Sequence, residues 1–312
     1  MKILFASNSR FGEFILEGLI NKNVAVNFLA TSSDKKRGRG QDITPPAIKD
    51  FAEKRNITTL EVDDAKNFEE AMKKLSPDLV IVAGFSIILN KETVDSGLFV
   101  NVHPSLLPKY RGPTPMQTAI KEGDSVSGVT IIKMSEEIDS GPIIDKKEVL
   151  LDKKINYVAM EKLFARIATE MLQEIIKNIK SPSFELKYMN QNEKEATYTK
   201  KLVKEDGLID WSDSGINIER KIRAYNDWPG TYTYLDGKRM KIIEASYQKQ
   251  TLNGPFGDYG KTYLGTDNTI AVQTGRGFLL IEKLQLEGKK IVSTEEFLMG
   301  NIAVIGSILS SN

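Results

Sequence analysis

The feature that most constrains the fold is a series of short segments rich in apolar and β-branched residues, two of them wholly apolar, in the first third of the chain. Residues 3–6 (Ile3, Leu4, Phe5, Ala6), 24–31, 58–62, 79–83 and 100–103 have strand-type composition. Between the first two, Phe11, Phe14, Ile15 and Leu19 fall on one face of a helix over 11–21, and residues 45–55 and 67–75 also read as helices. Strands apolar on both faces, alternating with amphipathic helices, specify an α/β fold with a mostly parallel, doubly covered sheet. A helix is expected over 114–122 and strands over 128–134 and 143–150, the second able to return antiparallel. A long helix over 156–180 closes this unit. Residues 181–205 are polar and read as a linker. From 206 the pattern changes: one helix over 216–224, then strand-like runs at 230–235, 239–247, 259–264, 270–274 and 277–284, divided by Gly, Asn and Asp turns. That pattern suggests a small OB-like β-barrel, giving domains 1–180 and 206–312.

Composition removes several function classes. With no cysteine among 312 residues, disulfides, thiolate nucleophiles and cysteine-held metals are excluded. One histidine makes a protein-built transition-metal site improbable, and no metal is expected. The formal net charge is +1, so a polyanionic partner would have to be held by local patches. Residues 206–312 hold 12 Lys and Arg against 13 Asp and Glu, so the second domain has no net positive field. No segment approaches the ~18 apolar residues of a membrane span. The apolar start is broken by Ser7-Asn8-Ser9-Arg10, too early for a signal peptide, so a cytoplasmic protein without a membrane partner is expected.

The lone histidine, His103, ends the apolar strand and is two residues after Asn101. Side chains alternate along a strand, so the two share a side, roughly 7 Å apart along the chain. An amide donor and a titratable ring thus meet at a strand's carboxyl end, where open parallel sheets bind ligands. Asp139, in Asp139-Ser140-Gly141, could reach His103 and orient its ring, although Asp-Ser-Gly is also ordinary turn chemistry. The run Phe85, Ser86, Ile87, Ile88, Leu89 either continues the core or lines a pocket for a flat aromatic ligand. Four cations among residues 35–39, interleaved with Gly38, suit either phosphates or solvent. Gly260-Lys261-Thr262 is no phosphate loop, because Pro255 stands where the motif needs glycine.

Residues 101–112, read as N-x-H-x-S-L-L-P-x-x-x-G, together with Asp139 resemble the signature of the 10-formyltetrahydrofolate-dependent formyltransferase superfamily. Within it, several stretches are similar to the tRNA-directed branch. They are Gly38-Arg39-Gly40, residues 110–117, Ala196-Thr197-Tyr198 with Lys201, residues 209–212 and 222–230, and Gly288-Lys289-Lys290. The resemblance covers residues 1 to about 300. It implies a Rossmann-like formyltransferase domain, an OB-like barrel that helps to hold tRNA, and 10-formyltetrahydrofolate as co-substrate. It also implies transfer to initiator methionyl-tRNA for translation initiation; a monomer is expected. The catalytic Asn, His and Asp carry over onto Asn101, His103 and Asp139, and the folate pocket onto Phe85, Ile87, Ile88, Leu89 and Ile138. The tRNA contacts fall on Arg37, Arg39 and Lys201. Three departures stand out: Ser7-Asn8-Ser9-Arg10-Phe11 replaces a Gly-Thr-Pro turn, Gln41-Asp42 follows the Gly-Arg-Gly where lysines are common, and the C-terminal tail is apolar rather than basic. The rival readings are a formyltransferase acting on a sugar-nucleotide amine and a non-catalytic tRNA-binding protein.

Overall fold

The structure, a computed structural model, describes residues 1–33, 35–37, 42–44, 46–181, 183, 185–249 and 258–310. Contacts divide the chain into two compact units. Residues 1–115, 126–150 and 160–200 form the first, and 116–125, 151–159 and 201–312 form the second. The segment expected as a linker therefore divides at 200, with its larger part folded into the first unit.

The first unit contains β1 (Ile3–Ala6), α1 (Arg10–Asn21), β2 (Phe28–Thr31), β3 (Lys35–Arg37) and β4 (Asp42–Thr44). There follow α2 (Ala47–Glu53), β5 (Thr58–Glu61), α3 (Ala65–Leu75), β6 (Leu79–Val82), α4 (Lys91–Asp95) and β7 (Phe99–His103). After α5 (Pro115–Glu122), most of which belongs to the second unit, come β8 (Val126–Lys133), β9 (Ile143–Leu150) and α6 (Tyr157–Ile179). The sheet has the order β5-β2-β1-β6-β7-β8-β9. Pairing is parallel from β5 through β7 and antiparallel for β7–β8 and β8–β9. Leu4, Ala6, Val80 and Val82 point into a core with Phe68 and Met72 of α3. The alternate residues Ile3, Phe5 and Ile81 are buried as well, so both faces are covered, as the unbroken apolar strands require.

Three boundaries differ from the sequence pattern. The strand expected over 24–31 begins at Phe28, because Asn27 closes its start by accepting from the Ile3 amide through its side chain and donating its own N–H to the Ile3 carbonyl. The helix expected from 45 begins at Ala47, with Pro46 at its cap. The polar basic loop contains an antiparallel hairpin, β3 paired with β4 in the register Lys35↔Thr44 to Arg37↔Asp42. A backbone ladder needs no apolar side chains, so charge concealed it.

The second unit carries α7 (Gly215–Ala224), β10 (Thr231–Leu235), β11 (Lys238–Gln248), β12 (Thr262–Leu264), β13 (Ile270–Gln273), β14 (Phe278–Leu286), β15 (Val292–Ser293) and α8 (Thr294–Asn301). Its strands form one antiparallel sheet in the order β10-β11-β14-β13-β12, with β15 on β14. Residues 307–310 hydrogen bond to both ends of that path: Ser310 exchanges two 3.0 Å bonds with Tyr234, and the Leu309 amide donates to Gly260 O at 2.9 Å. Ile218, Ile222, Met240, Ile242, Ile281 and Phe297 fill the core. Trp211, buried there, donates its indole N–H to Thr233 Oγ1 at 3.0 Å.

The order of the first sheet fixes where chemistry is placed. The chain runs outward from β1 to β2 and β5, then crosses back to β6 on the other side of β1. Ligands in such sheets sit outside the carboxyl ends of the strands near that reversal. The carboxyl end of β7, one strand beyond β6, is His103.

Candidate active site

Asn101 and His103 sit on β7, whose other positions, Phe99, Val100 and Val102, are buried. The loop after His103 is held from below by Thr130 on β8. Its Oγ1 accepts from the Leu107 amide at 3.1 Å and donates to Ser105 O at 2.7 Å, while Ser105 Oγ donates to Lys109 O. That loop returns the Tyr110 carbonyl to His103, 2.9 Å from Nε2. A carbonyl only accepts, so Nε2 carries the hydrogen. Tyr110 O therefore holds the ring through Nε2. Nδ1 is the nitrogen turned toward the Asp139 carboxylate, 3.4 Å from Oδ2.

Asp139 comes to this place by an indirect route. Because β8 is antiparallel to β7, the connection 134–142 leaves the sheet beside Phe99, where the Met134 amide donates to Phe99 O. It then turns back onto the side of β7 that carries Asn101 and His103, with Asp139 in a left-handed conformation (φ +54°). Its Oδ1 accepts from Asn101 Nδ2 at 3.0 Å, and its Oδ2 accepts from the Gly112 amide at 2.8 Å. Gly112 has φ +105°, and a Cβ there would stand 2.9 Å from Thr199 Oγ1 and 3.0 Å from Thr199 O. Only glycine offers its amide here without strain. The three expected catalytic side chains therefore do converge, with His103 buried and the Asp139 side chain 11 % exposed.

The other expected residues divide. Phe85 and Ile87 are half-buried, the Phe85 ring lying 5.6 Å from that of Phe68. Ile88 is 72 % and Ile138 60 % exposed, whereas Leu89 is turned into the core. Lys201 is exposed. Arg37 ends β3, and Arg39 lies outside the described residues. The first βα turn is a hydroxyl-and-amide clamp: Asn8 Oδ1 accepts from Thr31 Oγ1 and the Ser32 amide, and Asn8 Nδ2 donates to Ser86 Oγ. Among the described residues, no cluster of His, Asp and Glu could hold a metal ion.

Sequence reasoning missed Arg111, which is 1 % exposed. Its guanidinium donates to Gln191 Oε1, to both Glu193 carboxylate oxygens (2.8 and 2.6 Å) and to Tyr198 Oη. Bonding to Glu193 holds the Arg111 pKa above the usual arginine value against the opposing effect of burial. The same bond holds the Glu193 carboxyl below the usual carboxylate value. A buried arginine is legible only once its partners, some 80 residues on, are placed beside it.

A carboxamide, an imidazole with one nitrogen committed to the protein, and a carboxylate can together stabilise an oxyanion and move a proton between two nitrogens. Comparison with known proteins agrees. The family model described as Formyl transferase matches residues 1–176, and that described as Formyl transferase, C-terminal domain, matches 201–301. The methionyl-tRNA formyltransferase of Syntrophomonas wolfei is 32 % identical over 315 aligned residues, covering all of this chain and 99 % of the relative. Among solved structures, the methionyl-tRNA formyltransferase from Clostridium thermocellum superposes with a TM-score of 0.57 at 19 % identity over 80 % of this chain and 95 % of that one. HypX from Aquifex aeolicus shares the fold (TM-score 0.68, 18 % identity, 98 % of this chain); this chain spans about half its length, 48 %. The chain belongs to the formyl transferase family, among the methionyl-tRNA formyltransferases.

Proposed function

We propose that this protein transfers the formyl group of 10-formyltetrahydrofolate to the α-amino group of initiator methionyl-tRNA, for translation initiation. The observation that carries this reading is the Asp139 carboxylate joining Asn101 and facing His103 Nδ1. In the transfer, the bond from the formyl carbon to N10 breaks and a bond from that carbon to the amine nitrogen forms. Negative charge gathers on the formyl oxygen as the amine adds, and one proton passes from the attacking to the leaving nitrogen. Asn101 gives one N–H to Asp139, and its second serves the oxyanion. Asp139 takes the amine proton, directly or through water. His103 works through Nδ1, since its Nε2–H is held by Tyr110: Nδ1, 3.4 Å from Asp139 Oδ2, receives that proton from the carboxylate and passes it to N10 as the bond to the formyl carbon breaks.

Half-buried Phe85 and Ile87, with exposed Ile88 and Ile138, offer apolar surface of the kind a flat pterin packs on, and Phe68 backs the Phe85 ring. Leu89 supports that wall from the core. Arg37, Arg39 and Lys201 bind tRNA phosphates. No helix among the described residues is long and apolar enough to cross a membrane. The protein works as a monomer in the cytoplasm, within domains close to 1–180 and 206–312.

The test is a formylation assay with purified protein, 10-formyltetrahydrofolate, and either methionyl-initiator tRNA or an amino-sugar nucleotide. Transfer to the tRNA is expected. Transfer to the sugar nucleotide alone would overturn the acceptor, and transfer to neither would overturn the enzyme.

A further inference from the structure

Residues 189–199 have no apolar periodicity, yet they are stitched to both segments that shape the site. At one end, Met189 and Ile143 exchange backbone hydrogen bonds of 2.8 and 2.9 Å, just beyond the Asp139 turn. At the other end, the Arg111 amide donates to Thr197 O and the Thr199 amide donates to Arg111 O, both at 2.8 Å. The Tyr110 amide also donates to Thr197 Oγ1 at 2.8 Å. The loop that brings Tyr110 O to His103 and the Gly112 amide to Asp139 is thus pinned by this strap.

Between the two ends sits Gln191. Its Nε2 donates to Asp139 O and to Gly141 O, both at 2.7 Å. Its Oε1 accepts from Arg111 Nε at 3.1 Å and Nη2 at 2.9 Å. Two carbonyls on one side and a guanidinium on the other leave a single orientation for the amide. Asp139 has a positive φ, which a non-glycine residue keeps only when its surroundings hold it. The two carbonyl tethers provide that hold on the backbone that carries the carboxylate.

We propose that Gln191 is a positioning residue of the formyl-transfer site, its amide fixing the 139–141 backbone so that the Asp139 carboxylate meets Asn101 and His103. This rests on the function proposed above. Arg111 and Glu193 act one step further out, holding the amide oxygen so that both N–H groups stay turned to the loop.

Gln191→Glu preserves length and keeps an acceptor for Arg111, but sets oxygen against two carbonyl oxygens. Gln191→Met removes the donors without adding charge, and serves if the first variant does not fold. For a folded variant, kcat is expected to fall roughly 10- to 100-fold. KM for methionyl-tRNA should stay within about twofold, since Arg37, Arg39 and Lys201 are untouched. His103 is the only histidine, so its ring ¹H–¹⁵N signals are identified by type alone, and they should move. A folded variant with kcat within about twofold of wild type, a change confined to KM, or a fall in kcat with unmoved His103 signals would each overturn the proposal. If the wild-type protein transfers no formyl group, the functional reading fails. The ring signals then decide this proposal alone: movement supports it, and an unchanged spectrum overturns it.

Discussion

Asp139→Asn replaces one oxygen with an NH₂ group, and the structure shows what that breaks. Oδ1 accepts from Asn101 Nδ2 and Oδ2 from the Gly112 amide, at 3.0 and 2.8 Å. An asparagine has one acceptor, so if its oxygen keeps the fixed Gly112 N–H, its NH₂ faces Asn101 Nδ2 unless the Asn101 amide turns over, which withdraws that donor from the site. The side chain is only 11 % exposed, so water compensates little. Losing a hydrogen bond to a charged group costs about 1.5–3 kcal/mol. For a chain of this size, the unfolding midpoint should drop by roughly 2–5 °C. The chemistry suffers more, because an amide cannot take the amine proton, and loss of a positioned acid–base group typically costs ~10²–10⁴ in rate. The assay is formyl transfer at saturating donor and acceptor, with thermal unfolding of the same samples. Turnover within about threefold of wild type, less than 1 kcal/mol of barrier, would refute the proton-transfer role. An unchanged midpoint would refute the bonding described.

Gly112→Ala forces a Cβ into a positive φ against Thr199 and should destabilise by about 1–3 kcal/mol, read as a lower urea midpoint at constant slope. Arg37→Ala is expected to weaken tRNA use with little effect on folate affinity, and to lower the slope of log K against log salt by about 1; an unchanged slope makes Arg37 ordinary surface. Lys221, on α7, has its pKa lowered by burial first and then by the charge of Lys121. The unfolded chain holds that proton more tightly, so its contribution to stability rises as pH climbs from the lowered value toward the ordinary lysine range. Lys221→Met should flatten the rise, seen as urea midpoints that change less on the alkaline side.

Where burial decided the structure, the sequence showed it. The core strands β1, β6 and β7 follow apolar runs, and α1 follows its stripe, with Phe11, Ile15 and Leu19 buried and Phe14 half-buried. Where hydrogen bonding decided it, the sequence was silent. The β3–β4 hairpin is built from Lys35, Lys36 and Arg37 opposite Asp42, Ile43 and Thr44, with no alternation to betray it. The strap at 189–199 has polar composition and owes its place to partners such as Ile143 and Arg111, distant in sequence. For the site, Asn101 and His103 follow from strand alternation alone. The arrival of Asp139 does not, because it depends on β8 running antiparallel and on a turn that doubles back. Local reading left Asp139 open between a partner of His103 and ordinary turn chemistry, and the resemblance of the whole motif singled it out. The orienting role of the Tyr110 carbonyl was invisible, since a backbone oxygen leaves no mark in a sequence.

Single-turnover transfer by wild type and His103→Ala, with both substrates saturating, tests the central claim most directly. Wild type is expected to move the formyl group to methionyl-tRNA, and the variant to be slower by at least ~10²-fold while still binding folate. Transfer by the variant at the wild-type rate would contradict a site built on this imidazole.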